Sequence, residues 1–227
     1  MNERPQPQAM KHVRQAPRVQ DGVEMGSVPV RVSLMRSQDA TYWHNQVQPL
    51  IAAATETRAD RNWDWRLFRR VLPLVQHLQH RRCLALTTVA ENDQAEAVPV
   101  AMHLLIERYP HLSDWNLGAT FVWFMCAMPK DVFTRFDISG VPPSLGRVCV
   151  DVALTASRLL GLEGRIGLHC APTGGPRLMS FYKKHCRLLN LAEHLPLPPF
   201  HGNDGRFFYT EDELAKELLA ELEHLRE

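Results

Sequence analysis

The spacing of apolar positions changes period several times along the chain, and each change marks an element. Val28 to Leu34 (VPVRVSL) alternates apolar and polar residues, the period of a half-buried strand. Ser37, Gln38 and Asp39 can cap a helix running to about Thr57, with Tyr42, Trp43, Val47, Leu50 and Ile51 on its apolar stripe. A second helical stripe runs from Trp63 to Gln79 through Leu67, Val71, Leu74, Val75 and Leu78. Pro49 and Pro73 fall inside these patterns and predict kinks or breaks, because proline lacks the N–H and crowds the preceding turn. The period then drops to that of strands. Cys83 to Ala90 and Ala97 to Glu107, joined through Glu91-Asn92-Asp93, form a predicted hairpin in which Pro99 removes one ladder donor. Thr120 to Met128 (TFVWFMCAM) is apolar almost throughout, as expected of a strand covered on both faces, and Pro129 ends it.

The second half alternates helix and strand. Arg147 to Leu160 is a helix stopped by Gly161 and Gly164, Arg165 to Cys170 a short strand, and Pro176 to Cys186 a helix with proline in its first turn. A Pro-rich loop from His194 to Asp204 leads to a last strand, Arg206 to Tyr209, and a terminal helix, Asp212 to Arg226. Leu214, Leu218, Leu222 and Leu225 make one stripe on that helix, suited to its own domain or to a second copy in a homodimer. Residues 1–27 are rich in Pro, Gln and charge without apolar period. They are expected to be a disordered or loosely docked tail on a single domain over residues 28–227.

Charge and cysteine usage narrow the partners. With 26 basic against 25 acidic side chains, the chain has no electrostatic footprint for nucleic acid or an anionic membrane surface, and neither is expected as a partner. The Arg66, Arg69, Arg70 and Arg81, Arg82 groupings read as solvated positions. Five cysteines, an odd number without a C-x2-C pair, do not form a disulfide framework and suit a reducing compartment. With no signal-peptide core and no membrane-length apolar run, a cytoplasmic location is expected. No metal is expected, since the adjacent His169-Cys170 and His185-Cys186 pairs point to different sides of their elements. A covalent nucleophile has no support either: G-x-S-x-G is missing, and the cysteines sit in apolar runs that keep thiols protonated.

The candidate chemistry lies between Gly140 and Cys186. A Gly/Pro turn there precedes a helix whose first N–H groups have no intrahelical partner, which makes an anion site. The donors are the amides of Ser144, Leu145, Gly146, Arg147 and Val148, with the Arg147 guanidinium in reach. A plain turn capping a core helix fits the same residues. One strand later, SFYKKHC carries Tyr182, either a proton-donating hydroxyl or a ring packed on the sheet.

This order of turn, helix, strand and tyrosine-bearing helix resembles the acyl-CoA-binding half of the Gcn5-related N-acetyltransferases (the GNAT superfamily). The resemblance implies an α/β (α+β) fold with a mixed central sheet, flanked by helices and splayed between its fourth and fifth strands. It implies acetyl-CoA or another acyl-CoA as cofactor, transfer to an amine acceptor by direct attack, and Tyr182 beside the thioester. Met125, Cys126 and Ala127 would pair with the pantetheine arm, and Ser144 to Val148 would cradle the pyrophosphate. Of the family turn Gln/Arg-x-x-Gly-x-Gly/Ala, VPPSLG keeps only Gly146, and Pro142 and Pro143 remove two donors. TFVWFMCAM contains no carboxylate to act as general base. His103 and His169 are within reach of a cleft, each also readable as a structural histidine. A catalytically silent GNAT-fold module for CoA binding or protein interaction is the alternative.

Overall fold

The computed structural model describes residues 18–20, 23–25, 30–54, 58–138, 145–194 and 204–223. Strands β1 (Arg18–Gln20) and β2 (Val23–Met25) form a small antiparallel pair outside the main sheet, within the stretch read above as a tail. From β3 (Val30–Leu34) the chain enters α1 (Ser37–Tyr42), a π-helical turn (Trp43–Val47) and α2 (Gln48–Ala53). It continues through α3 (Trp65–Gln79), β4 (Cys83–Glu91), β5 (Ala97–Pro110) and β6 (Gly118–Ala127). A 3₁₀ turn (Lys130–Phe136), α4 (Leu145–Leu159), β7 (Ile166–His169) and α5 (Gly175–Ser180) follow, and α5 runs on into a π-helical turn (Phe181–His185). β8 (Leu189–Asn190), α6 (Leu191–His194), β9 (Phe207–Tyr209) and α7 (Asp212–Glu221) complete the order.

The prolines decide several boundaries. The expected helix from Ser37 to Thr57 is divided: the π turn sits just ahead of Pro49, which occupies the first turn of α2. A proline ring clashes with the carbonyl four residues earlier, and a widened turn relieves that contact. α3 begins at Trp65 rather than Trp63, because the Asp64 carboxylate accepts from the amides of Arg66 (2.9 Å) and Leu67 (3.2 Å) and so caps it. Pro99 is tolerated within the sheet because the register of β4 on β5 shifts there: Thr88 faces Ala101 and Val89 faces Pro99, leaving Val100 as an extra residue.

The main sheet has seven strands in the order β3-β4-β5-β6-β7-β9-β8. Every pairing is antiparallel except that of β6 with β7. β4 and β5 are buried over most of their length, whereas β6 is buried from Ala119 to Val122 and at Cys126 but exposed at Trp123 and half-buried at Phe124, Met125 and Ala127, so the apolar run expected to be covered on both faces is covered only in its first half. α4 covers the centre with Val148, Val152 and Leu154, and α7 lies against it through Ala215, Leu218 and Leu222. Leu214, Leu218 and Leu222 of the terminal stripe thus pack on the chain's own core, and Leu225 lies outside the described residues.

One relationship in the sheet positions everything that follows. β7 runs beside β6 only from Thr120 to Val122, whereas β6 continues along β5 as far as Ala127. The β5–β6 register shifts at Leu104/Leu105, which face Phe124 and Val122 and leave Trp123 as an added residue. Such a bulge bends its strand and raises its twist. Beyond Trp123 the two parallel strands part, and the sheet opens between its fourth and fifth long strands, as the resemblance implied. Among the described residues no helix is long and apolar enough to cross a membrane.

Candidate active site

The opening between β6 and β7 is a cavity of about 690 Å³. Its wall includes β6 from Phe121 to Ala127, Leu168 and His169 at the end of β7, and Gly146 and Cys149 from the first turns of α4. Leu178, Phe181 and Tyr182 enter from α5 and its π turn, and Arg58, Asp60 and Trp63 from the segment before α3. Met125, Cys126 and Ala127 all lie on this wall, along a strand edge that β7 no longer covers. A strand edge without a neighbour offers main-chain donors and acceptors at alternate residues, which is the pattern an extended amide-bearing arm can pair with.

Tyr182 is buried and lines the same cavity. Burial, with Cys170, Cys186, Cys149 and Asp60 nearby, holds its hydroxyl well above the ordinary phenol range, so it stays a protonated donor. Its ring lies 5.6 Å from Phe208, the β9 residue opposite Leu168. Burial likewise raises the cavity thiols Cys126 and Cys149 far above the usual range and Cys186 to about 12, which leaves them poor nucleophiles. Direct transfer without a cysteine intermediate fits that chemistry.

At the other end of the cavity, the start of α4 divides its residues. Gly146 faces the cavity, Leu145 and Val148 are buried in the core, and the Arg147 guanidinium donates to Glu221 of α7. Gly146 is there for space: a Cβ would stand 2.5 Å from Cζ of Phe181. The ring therefore rests directly over the helix backbone. Ser144, with Val141, Pro142 and Pro143, lies outside the described residues.

His103 does not reach the cavity. It sits on β5 between β4 and β6, fully buried, where burial lowers its pKa to about 4 despite partial opposition from the Leu86 backbone. It is a neutral core residue. His169 is different: it lines the cavity, and its Nε2 lies 2.7 Å from Oδ2 of Asp204.

A carboxylate that the sequence did not single out, Asp60, also lines the cavity. It is buried, and both its oxygens are held by the Arg58 guanidinium, at 2.9 Å from Nε and 2.7 Å from Nη2. The same Nη2 donates to the Ala127 carbonyl at 2.8 Å and ties the loop to the end of β6. Only a contact across 69 residues discloses this, and no local pattern carries it. The aromatic rings of the N-terminal helices split their work. Trp65 is fully buried in the core, while Trp63 reaches the cavity and meets Phe124 edge-on at 4.9 Å.

Among the described residues, an α/β sheet with one parallel pairing, parted at that pairing beside a buried tyrosine, is the arrangement that the resemblance implied. No protein-family model matches the chain, and no curated protein sequence matches it. Several solved structures are similar in arrangement. One is AtaTR bound with acetyl-CoA, at 12% identity and a TM-score of 0.46, with 83% of this chain and 97% of that chain covered. Another is spermidine N-acetyltransferase from Vibrio cholerae with CoA and spermine, at 16% identity and a TM-score of 0.42, covering 82% and 98%. A third is the ribosomal-protein-S5-alanine acetyltransferase from Vibrio fischeri, at 14% identity and a TM-score of 0.40, covering 71% and 80%.

Proposed function

We propose that the protein is a divergent member of the GNAT superfamily that transfers an acyl group, most simply acetyl, from CoA to an amine. The observation that carries this reading is Tyr182 beside the uncovered edge of β6, inside a cavity that opens where the parallel strands β6 and β7 part. An acyl-CoA arm laid in that opening would pair with the main chain of Met125, Cys126 and Ala127. Its phosphates would lie toward the amides of Leu145 to Val148 at the start of α4, together with Ser144. The group supplies an activated acyl thioester. Met125 to Ala127 of β6 would hold the thioester in place, and the Tyr182 hydroxyl would be available to the sulfur as negative charge develops there. The walls around Trp63, Trp123 and Phe124 suit an acceptor with an apolar or aromatic body.

The direct test is release of free CoA from acetyl-CoA in the presence of a panel of primary amines, for wild type and Tyr182→Phe. Acetylated amine from wild type with a large loss in the variant supports the reading. A protein that binds acetyl-CoA tightly yet acetylates nothing, water included, supports the silent module instead. Three contacts favour that second reading: Arg58 on the Ala127 carbonyl, Glu221 on Arg147, and Phe181 over Gly146.

A further inference from the structure

The two strand edges beside the opening sort the cavity by face. Residues directly opposite one another on neighbouring strands share a face, and successive residues alternate. Leu168 pairs with Phe208, and Tyr182 packs on that side. His169 pairs with Phe207, its ring 4.5 Å from that phenyl, and therefore projects from the opposite face. Both nevertheless line one cavity, which passes through the sheet where β6 and β7 part. A thioester held in the opening would present its two sides to two different groups.

His169 is arranged as a base on its side. Asp204 accepts from Nε2 at 2.7 Å, which places the ring proton on Nε2 and leaves the Nδ1 lone pair unoccupied. Nδ1 has no hydrogen-bond partner among the described residues. Partial burial pushes the Asp204 carboxyl up, but the bond from His169, the Arg206 amide at 3.0 Å and the nearby positive charge outweigh it, so it stays ionised. Asp60, the carboxylate that does line the cavity, has both its oxygens held by Arg58. Among the described residues, Arg177, Tyr109, Cys126 and Cys149 also line the cavity, and Arg206 and Cys170 lie beside Asp204.

We infer that His169 takes the proton from the acceptor amine, with Asp204 as its positioning residue, on the sheet face opposite Tyr182. The inference rests on the acyl-transfer reading. In the step, the amine nitrogen attacks the thioester carbonyl carbon; the C–N bond forms and the C–S bond breaks. The amine proton passes to Nδ1 of His169 and on to solvent. The sulfur leaves as thiolate, hydrogen-bonded by the Tyr182 hydroxyl.

Four proteins test this: wild type, His169→Gln, Asp204→Asn and Asp204→Glu. Acetyl-CoA turnover is read by thiol release with water and with a primary aryl-alkyl amine. Thermal stabilisation by acetyl-CoA is read alongside. Carbethoxylation of His169, followed by peptide mass spectrometry with and without acetyl-CoA, gives a readout independent of turnover. His169→Gln is expected to keep the acetyl-CoA stabilisation and lose kcat by roughly 10²-fold or more. Asp204→Asn is expected to lower kcat with KM little changed, and Asp204→Glu to recover part of it. Acetyl-CoA should slow carbethoxylation of His169. Full turnover by His169→Gln, or modification of His169 at the same rate with acetyl-CoA bound, overturns the inference while leaving acyl transfer intact. Stabilisation by acetyl-CoA without turnover in wild type overturns the inference together with the transfer reading. No stabilisation at all removes the cofactor as well.

Discussion

His169 and Tyr182 project from opposite faces of one sheet and line one cavity, because the strands between them separate after Val122. The opening thus has a buried phenol on one side and a carboxylate-bound imidazole on the other. The bulge at Trp123 and the three-residue contact of β6 with β7 create that opening.

Replacing Tyr182 by Phe removes only the hydroxyl from a ring that is otherwise well packed. Stability is expected to change by less than about 1 kcal/mol. Acetyl-CoA turnover is expected to fall about 10²-fold with stabilisation by acetyl-CoA retained. Thiol-release kinetics and a thermal melt of the same preparation separate the two effects.

Gly146 and Phe181 form a tight pair at the entrance to α4. A Cβ 2.5 Å from Phe181 Cζ forces the ring to move, and the ring meets Tyr182 at 5.5 Å. Gly146→Ala is expected to cost about 1–3 kcal/mol, or about 2–4 °C of Tm for each kcal/mol, and to weaken acetyl-CoA binding. The double variant with Phe181→Leu should recover part of the loss, whereas independent sites would add.

Arg58 neutralises Asp60 and occupies the Ala127 carbonyl at once. Arg58→Ala strands a carboxylate whose side chain is only 7% exposed. Breaking a fully buried pair costs about 3–5 kcal/mol, and Arg58 keeps 26% of its side chain exposed, so about 2–3 kcal/mol is expected here. Arg58→Met with Asp60→Leu should cost less than Arg58→Ala alone. Urea unfolding of the three variants is the check.

His103 makes stability depend on acid. Its folded pKa, about 4, lies below the ordinary histidine value, so the unfolded chain binds the extra proton first. The contribution is therefore complete above about pH 6.5 and is lost as pH falls toward 4. His103→Leu is expected to flatten the stability profile in that window, as measured by urea midpoints at stepped pH.

Much of the frame was legible along the chain. The apolar run from Thr120 to Met128 marked the central strand, and the Gly/Pro punctuation placed α4, β7 and the tyrosine helix within a few residues. β8 was not legible, since Leu189 and Asn190 are strand only by pairing with Tyr209 and Phe208. Tyr182 was singled out by its place in a recognisable order of elements, and the structure puts it on the cavity wall. Asp60 could not be found from the apolar pattern, as its role is set by Arg58 and the far end of β6. His169 was in view, but its partner Asp204 sits 35 residues on, in a Pro-rich stretch with no period to register it.

The most direct measurement is a thermal-unfolding titration with acetyl-CoA, with CoA and ATP as references. A ligand bound only by the native state at 100 times its Kd adds about 2.7 kcal/mol, a Tm rise of about 5–10 °C for a chain of this size. The cavity between β6 and β7 is expected to give that rise with acetyl-CoA and CoA and not with ATP. No rise at saturating acetyl-CoA, from a protein that melts cooperatively, would contradict the assignment of this cavity to an acyl-CoA.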